Sequence, residues 1–222
     1  MNYGPYSYSR LATFAKCPAK FKYNYIDKID VPFVPSPAME RGTEIHNSLE
    51  AYVNKQTERL HEDIHQHYGE FFFHIRENFE CQPEVKWGLN WELEPCDYND
   101  GNCMVRGFMD LRFVPEDDNI QVFEYKTGKI YPEHSHQQWL YGTATLLEYS
   151  DAEGVDVTAI YLDQKQNKKI YYPASMLFEY KPMLLREIQT IEELPLDQFI
   201  SKPQWTCRWC QFSKANGGPC QF

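Results

Sequence analysis

Asp110, Glu124 and Lys126 are the residues whose types and spacing best suit joint chemistry in this 222-residue chain. Two carboxylates and an amine gathered at one point can hold a divalent cation and steady charge on a neighbouring anion. The pattern around them predicts such a gathering. Val105, Gly107, Met109, Leu111 and Phe113 alternate with Arg106, Phe108, Asp110, Arg112 and Val114, the period of a strand. Pro115-Glu-Asp-Asp-Asn119 is turn chemistry, and Ile120 to Lys126 alternates again. Pairing Val114 with Ile120 sets Arg112 opposite Val122, Asp110 opposite Glu124, and Phe108 opposite Lys126. Directly opposed residues lie roughly 4.5–5.5 Å apart at Cβ, and Glu124 and Lys126 share a face. Opposed carboxylates repel unless a cation lies between them, so the spacing alone predicts a metal site.

The cysteines form a second candidate. Cys207-Arg-Trp-Cys210 is a C-x-x-C, Cys220 lies ten residues on, and Cys17 is the natural fourth ligand. Four thiolates suit zinc or an iron–sulfur cluster equally well by count. Binding them would fasten one end of the chain to the other. Cys81, Cys96 and Cys103 lack such spacing and read as buried or incidental thiols. His61-Glu62-Asp63-Ile64-His65 matches the zinc-peptidase pattern H-E-x-x-H. Its internal Asp63 and its acidic surroundings read better as a solvated helix face.

The elements that must position these groups follow from periodicity and punctuation. Ser7 or Ser9 can cap a first helix through Leu11, Phe14 and Ala15, interrupted at Cys17-Pro18. Pro32, Pro35 and Pro37 mark a loop. Helices are expected over about Met39 to Gln56, with His46 beside its apolar stripe, and over 57–80. Glu84 to Glu94 reads as a strand. After the central hairpin, a helix of about Ser135 to Tyr149 carries Gln137 and Tyr141 on one face. A second hairpin pairs Val155 to Leu162 with Lys169 to Tyr172 around Gln164–Asn167. Residues 174–193 are helical, with Pro182 expected to kink or split the run. The outline is α+β, a mixed sheet flanked by helices.

Length suits a single domain, and no 18-residue apolar run or signal sequence is evident, so a cytoplasmic protein without membrane contact is expected. The net charge is −10, yet residues 1–26 carry +4 and 198–222 carry +3 with no acid in either. If the two ends meet, they make a basic face on an acidic body, suited to a phosphate backbone.

Taken in order, these motifs resemble the PD-(D/E)XK nuclease superfamily, in particular its RecB-like branch with an iron–sulfur cluster. Ser9-Arg-Leu11 through Cys17-Pro18 and Phe21-x-Tyr23 is similar to that branch's opening helix and first cluster cysteine. Gly42-x-x-x-His46, Gly107-Phe-Met-Asp110, Glu124-Tyr-Lys126 and Gln137-x-x-x-Tyr141 resemble its internal motifs, and Cys207, Cys210 and Cys220 its closing cysteines.

The resemblance implies one nuclease domain over 1–222 with a restriction-endonuclease-like core at 39–172. Residues 1–30 and 198–222 would form the basic cluster-binding part, and 174–193 a helical one. It implies Mn²⁺ or Mg²⁺ on His46, Asp110, Glu124 and the Tyr125 carbonyl, with Glu84 a further nearby carboxylate. Lys126, Gln137 and Tyr141 would serve catalysis, and a [4Fe–4S] cluster, or zinc, would sit on Cys17, Cys207, Cys210 and Cys220. The implied substrate is DNA, in single-stranded form, cut as an exonuclease in bacterial or phage repair, recombination or DNA processing. The ten-residue step from Cys210 to Cys220 is longer than usual in that branch. No G-x-x-x-x-G-K-[ST] loop is present, so the chain would act without ATP or beside a helicase or recombination partner. The rival classes are a non-catalytic, metal-stapled DNA-binding module and the zinc peptidase.

Overall fold

The computed structural model describes residues 3–32, 35–115 and 119–222, so positions 116–118 of the expected hairpin turn lie outside the described residues. In chain order the elements are α1 (Tyr8–Lys16), α2 (Pro18–Phe21), α3 (Pro37–Val53), α4 (Glu62–Asn78), β1 (Gln82–Asn90) and β2 (Cys103–Phe113). They continue with β3 (Ile120–Lys126), α5 (His134–Glu148), β4 (Gly154–Tyr161), β5 (Gln166–Pro173) and α6 (Leu177–Glu192). The described residues group into two compact units, 35–182, and 3–32 with 183–222. No helix among them is long and apolar enough to cross a membrane.

The larger unit is the expected α+β arrangement, a five-stranded mixed sheet in the order β1-β2-β3-β4-β5. Only β3 and β4 run parallel, and α5 is the crossover that a parallel pair requires. Alternation along β3 serves two layers. Phe123 and Tyr125 join Ile45, Leu49, Ile64 and Phe72 of α3 and α4 in one apolar core. Glu124 and Lys126 reach Gln137 of α5 instead.

Helix α5 is pinned to the sheet along its length. Gln138 donates to the Val157 and Lys168 carbonyls, both at 2.8 Å. A Cβ on Gly142 would stand 2.7 Å from the Tyr172 ring, so glycine permits the close approach. At the far end buried Arg112 of β2 grips Glu148 through two hydrogen bonds, at 2.5 and 3.0 Å.

Element boundaries depart from the sequence reading where side chains capture backbone groups. Helix α4 begins at Glu62 and not near 57, because Arg76 draws the preceding segment aside by donating to the Thr57 carbonyl and the Glu58 carboxylate. Strand β5 begins at Gln166, three residues early, because Lys165 takes a φ of 52° and tightens the turn. Pro182 lies inside α6 without ending it.

In the smaller unit the chain's two ends meet. Tyr6 and Phe21 stack with ring centres 6.4 Å apart, and Phe199 packs on Phe21. Glu192 accepts from the Tyr6 hydroxyl at 2.6 Å and the Tyr3 N–H at 2.9 Å. Lys202 and Gln204 donate to the Ala15 and Lys16 carbonyls. The +4 and +3 segments therefore share one unit.

Candidate functional site

The predicted register of the central pair holds, with Arg112 facing Val122 between Leu111–Phe123 and Phe113–Gln121. The ladder then stops. Asp110 and Glu124 are not opposed rungs, nor are Phe108 and Lys126, which corrects the expectation of a hairpin paired through the site. The Asp110 carboxylate accepts the Tyr125 N–H at 2.5 Å, so a side chain bridges β2 and β3 where a rung would have been. The divergence opens the space in which the polar groups collect.

His46 reaches that space from α3. Its Nδ1 lies 3.2 Å from Asp110 Oδ1. Helix α3 starts with Ser36 accepting the Met39 N–H and Pro37 at its first turn, a favoured beginning. It then runs close to the end of β3, since a Cβ on Gly42 would stand 3.1 Å from Thr127 Oγ1. Arg41, which the motifs did not single out, bonds Asp63 of α4 and Asp163 beyond β4, each at 2.8 Å. It ties the helix bearing His46 to two other elements. Its partners are 22 and 122 residues away, a separation that leaves no local sequence signal.

His46, Glu84 and Asp110 each offer a donor atom, all within 4.8 Å of one another. Glu84 adopts a φ of 48° in β1, an uncommon conformation for a side-chain-bearing residue that turns it toward this group. Glu124, expected from the sequence among the metal ligands, lies outside that three-residue set but near enough for its charge to act on His46 and to feel Asp110. Its Oε1 accepts from Lys126 Nζ at 2.7 Å and Gln137 Nε2 at 2.8 Å, while Oε2 is buried with no hydrogen-bond partner. Lys126 also donates to Gln137 Oε1 at 2.7 Å, and Gln137 donates to the Tyr141 hydroxyl at 2.8 Å. A buried polar atom without a partner is costly, and a cation is the partner this one fits. The donor set of carboxylates and one imidazole suits a hard or borderline divalent metal.

Electrostatics agree with that fit. Burial, then the nearby Asp110 charge, pushes Glu124 up to about 7 against the opposing pull of Lys126. Burial and Asp110 likewise raise Glu84. Burial lowers His46, but its bond to Asp110 and the charges of Asp110, Glu124 and Glu84 outweigh this and raise it to about 9. The His46 imidazole beside Asp110 and the Lys126 ammonium beside Glu124 both offset the carboxylates.

Two further motifs resolve differently. Cys17, Cys207, Cys210 and Cys220 line one small cavity in the smaller unit, beside Tyr23 and Phe212. His61 is not within α4 but caps it, its Nδ1 accepting the Asp63 N–H at 3.2 Å. The first histidine of the H-E-x-x-H match is thus engaged in starting the helix, and among the described residues no three potential metal ligands gather at His61 and His65.

The comparisons with known proteins bear on the whole chain. The family model of the PD-(D/E)XK nuclease superfamily matches residues 5–215. No curated protein matches the sequence. Among solved structures, a candidate exonuclease from Eubacterium rectale is similar over 95% of this chain and 86% of that one, at 11% identity and a TM-score of 0.55. SSO0001 is 17% identical over 94% and 83% of the two chains, with a TM-score of 0.45. LHK-Exo, solved in complex with dAMP, is 14% identical over 86% and 89%, with a TM-score of 0.44.

Proposed function

Since this chain belongs to the PD-(D/E)XK nuclease superfamily, we propose that it is a metal-dependent deoxyribonuclease acting as an exonuclease on single-stranded DNA ends. The observation that carries this reading is the convergence of His46, Glu84 and Asp110, with the unpartnered Glu124 oxygen and Lys126 near enough for charge to act between Glu124 and that group. His46, Asp110 and Glu84 would hold Mn²⁺ or Mg²⁺, joined by Glu124 and the Tyr125 carbonyl. The imidazole favours Mn²⁺. A divalent cation there supplies a more acidic water and positive charge against the scissile phosphate. Lys126 directs its ammonium at the same space, where it would orient the attacking water and stabilise charge building on the phosphoryl oxygens. Gln137 holds both Lys126 and Glu124, and Tyr141 holds Gln137, so the row along α5 sets the lysine's position. The end-directed part of the reading is supported by the description of the Eubacterium rectale structure as a candidate exonuclease.

In the smaller unit we propose a [4Fe–4S] cluster on Cys17, Cys207, Cys210 and Cys220. All four line one cavity, and none is in a disulfide. The exposed Trp205 and Trp209, 71% and 62% accessible beside these cysteines, offer faces on which unpaired bases can stack. Repair, recombination or phage DNA processing, alone or with a helicase partner, is the setting this chemistry suits.

The test is degradation of end-labelled single- and double-stranded DNA with Mn²⁺, Mg²⁺ or EDTA, beside Asp110→Ala. Metal-dependent cleavage absent from the variant is expected. Absence of cleavage of either DNA with either metal would overturn the assignment.

A further inference from the structure

Strand β2 carries a second feature beyond its metal carboxylate. On one side of the strand, Gly107 lies against the Trp87 ring, and the Met109 sulfur accepts from Thr145 of α5. The alternate residues Arg106, Phe108 and Asp110 therefore share the other side. Phe108 is 38% exposed, a large apolar ring on an open surface two residues from Asp110. Its register partner on β1 is Lys86, with Nζ 5.9 Å from the ring centre. Tyr98, in the β1–β2 loop, tilts against Phe108 with ring centres 4.8 Å apart. The Arg106 guanidinium lies 4.3 Å from the Tyr98 ring centre, fixed by bonds to the Tyr98 carbonyl at 2.6 Å and to Asn99 Oδ1 at 3.4 Å. In a chain of net charge −10, two cations and two aromatic rings are thus interleaved on the strand face that leads to the metal carboxylate.

We propose that Lys86, Tyr98, Arg106 and Phe108 form a binding subsite for an unpaired nucleotide next to the one whose phosphate is cut, its base stacked on Phe108. This rests on the nuclease reading above and names the feature that would select single strands. An exposed ring gains most by covering its face with another flat surface, and every base has one to offer. A base inside a duplex is already stacked on both faces and cannot offer it. Lys86 and Arg106 stand where the flanking phosphates of such a nucleotide need positive charge. Tyr98 contacts both Phe108 and Arg106 and so links the ring to the cation.

The test measures anisotropy of a fluorescent single-stranded oligonucleotide and of a duplex, in EDTA so that nothing is cut. The proteins are wild type, Phe108→Ala, Phe108→Trp and the double variant Lys86→Ala/Arg106→Ala, each checked for an unchanged thermal midpoint. Phe108→Ala is expected to weaken single-strand binding roughly 5- to 100-fold, leaving duplex binding unchanged. Phe108→Trp restores it, and the double variant flattens the salt dependence. An oligonucleotide with an abasic position at the subsite should bind wild type and Phe108→Ala alike. Single-strand affinity unaltered by Phe108→Ala, or lost equally for single strand and duplex, would overturn the subsite. A wild-type protein that cleaves DNA while Phe108→Ala binds normally sinks the subsite alone. One that binds through Phe108 but cleaves nothing sinks the nuclease reading alone.

Discussion

Glu124 uses one oxygen for Lys126 and Gln137 and buries the other without a partner, and the pKa values around it say what that costs. Glu124 is raised to about 7 and His46 to about 9. Both folded values lie above the unfolded ones. Their contribution to metal-free stability is therefore full below the unfolded values and fades as pH rises through about 7 and then about 9. A bound divalent cation prefers these groups deprotonated, so its stabilisation moves the other way. Melting in Mn²⁺ and in EDTA at pH 5.5, 7 and 8.5 should show a gap in thermal midpoint that widens with pH. A gap that is flat or narrows would count against this metal site. Lys126→Ala should lower turnover about 10²- to 10³-fold, a loss larger than any fall in folded fraction at the assay temperature. Steady-state cleavage alongside melting separates that loss from unfolding.

At the scale of elements, positioning depends on close approaches that a one-dimensional pattern shows only in part. The β2–β3 register was legible because Val114 and Ile120 bracket a polar turn and the alternation on both sides is regular. Where the ladder ends was not legible, since it depends on Asp110 taking a backbone N–H with its side chain. Gly107 was visible as a motif letter, but its reason is three-dimensional: a Cβ there would stand 2.9 Å from the Trp87 ring. Trp87 in turn meets Tyr141, ring centres 6.1 Å apart, and Tyr141 holds Gln137. Gly107→Ala should push Trp87 onto α5 and destabilise the fold by about 1–3 kcal/mol, with lost cleavage; chemical denaturation measures the first. Glu148→Ala should be worse for the fold, on the order of 3 kcal/mol, because it strands the buried Arg112 guanidinium. A midpoint unchanged in urea would show that Gln82 and Tyr149 satisfy that cation without Glu148.

At the scale of the whole molecule, the chain's charge is divided between an acidic sheet-bearing unit and a smaller unit where both basic ends lie. Sequence spacing was enough to propose that four cysteines join those ends, because C-x-x-C plus two further thiols is a ligand count. It was not enough to distinguish cluster from zinc, since both accept four thiolates. Anaerobically purified protein should be coloured and contain iron and acid-labile sulfide. Cys17→Ser should lose the colour and melt at lower temperature, whereas Cys81→Ser keeps both. Stoichiometric zinc in a colourless preparation would overturn the cluster and leave the metal site on the sheet as it stands.

The bond from the Tyr125 N–H to Asp110 gives this protein an internal spectroscopic probe. The amide proton answers to a carboxylate that is itself a proposed metal ligand, so its nitrogen-15 chemical shift and its exchange with deuterium should follow the loading of the site. Titrating a diamagnetic divalent ion into labelled protein would move that resonance before any substrate is added. The affinity of the site could thus be read one atom from the chemistry, with no cleavage taking place.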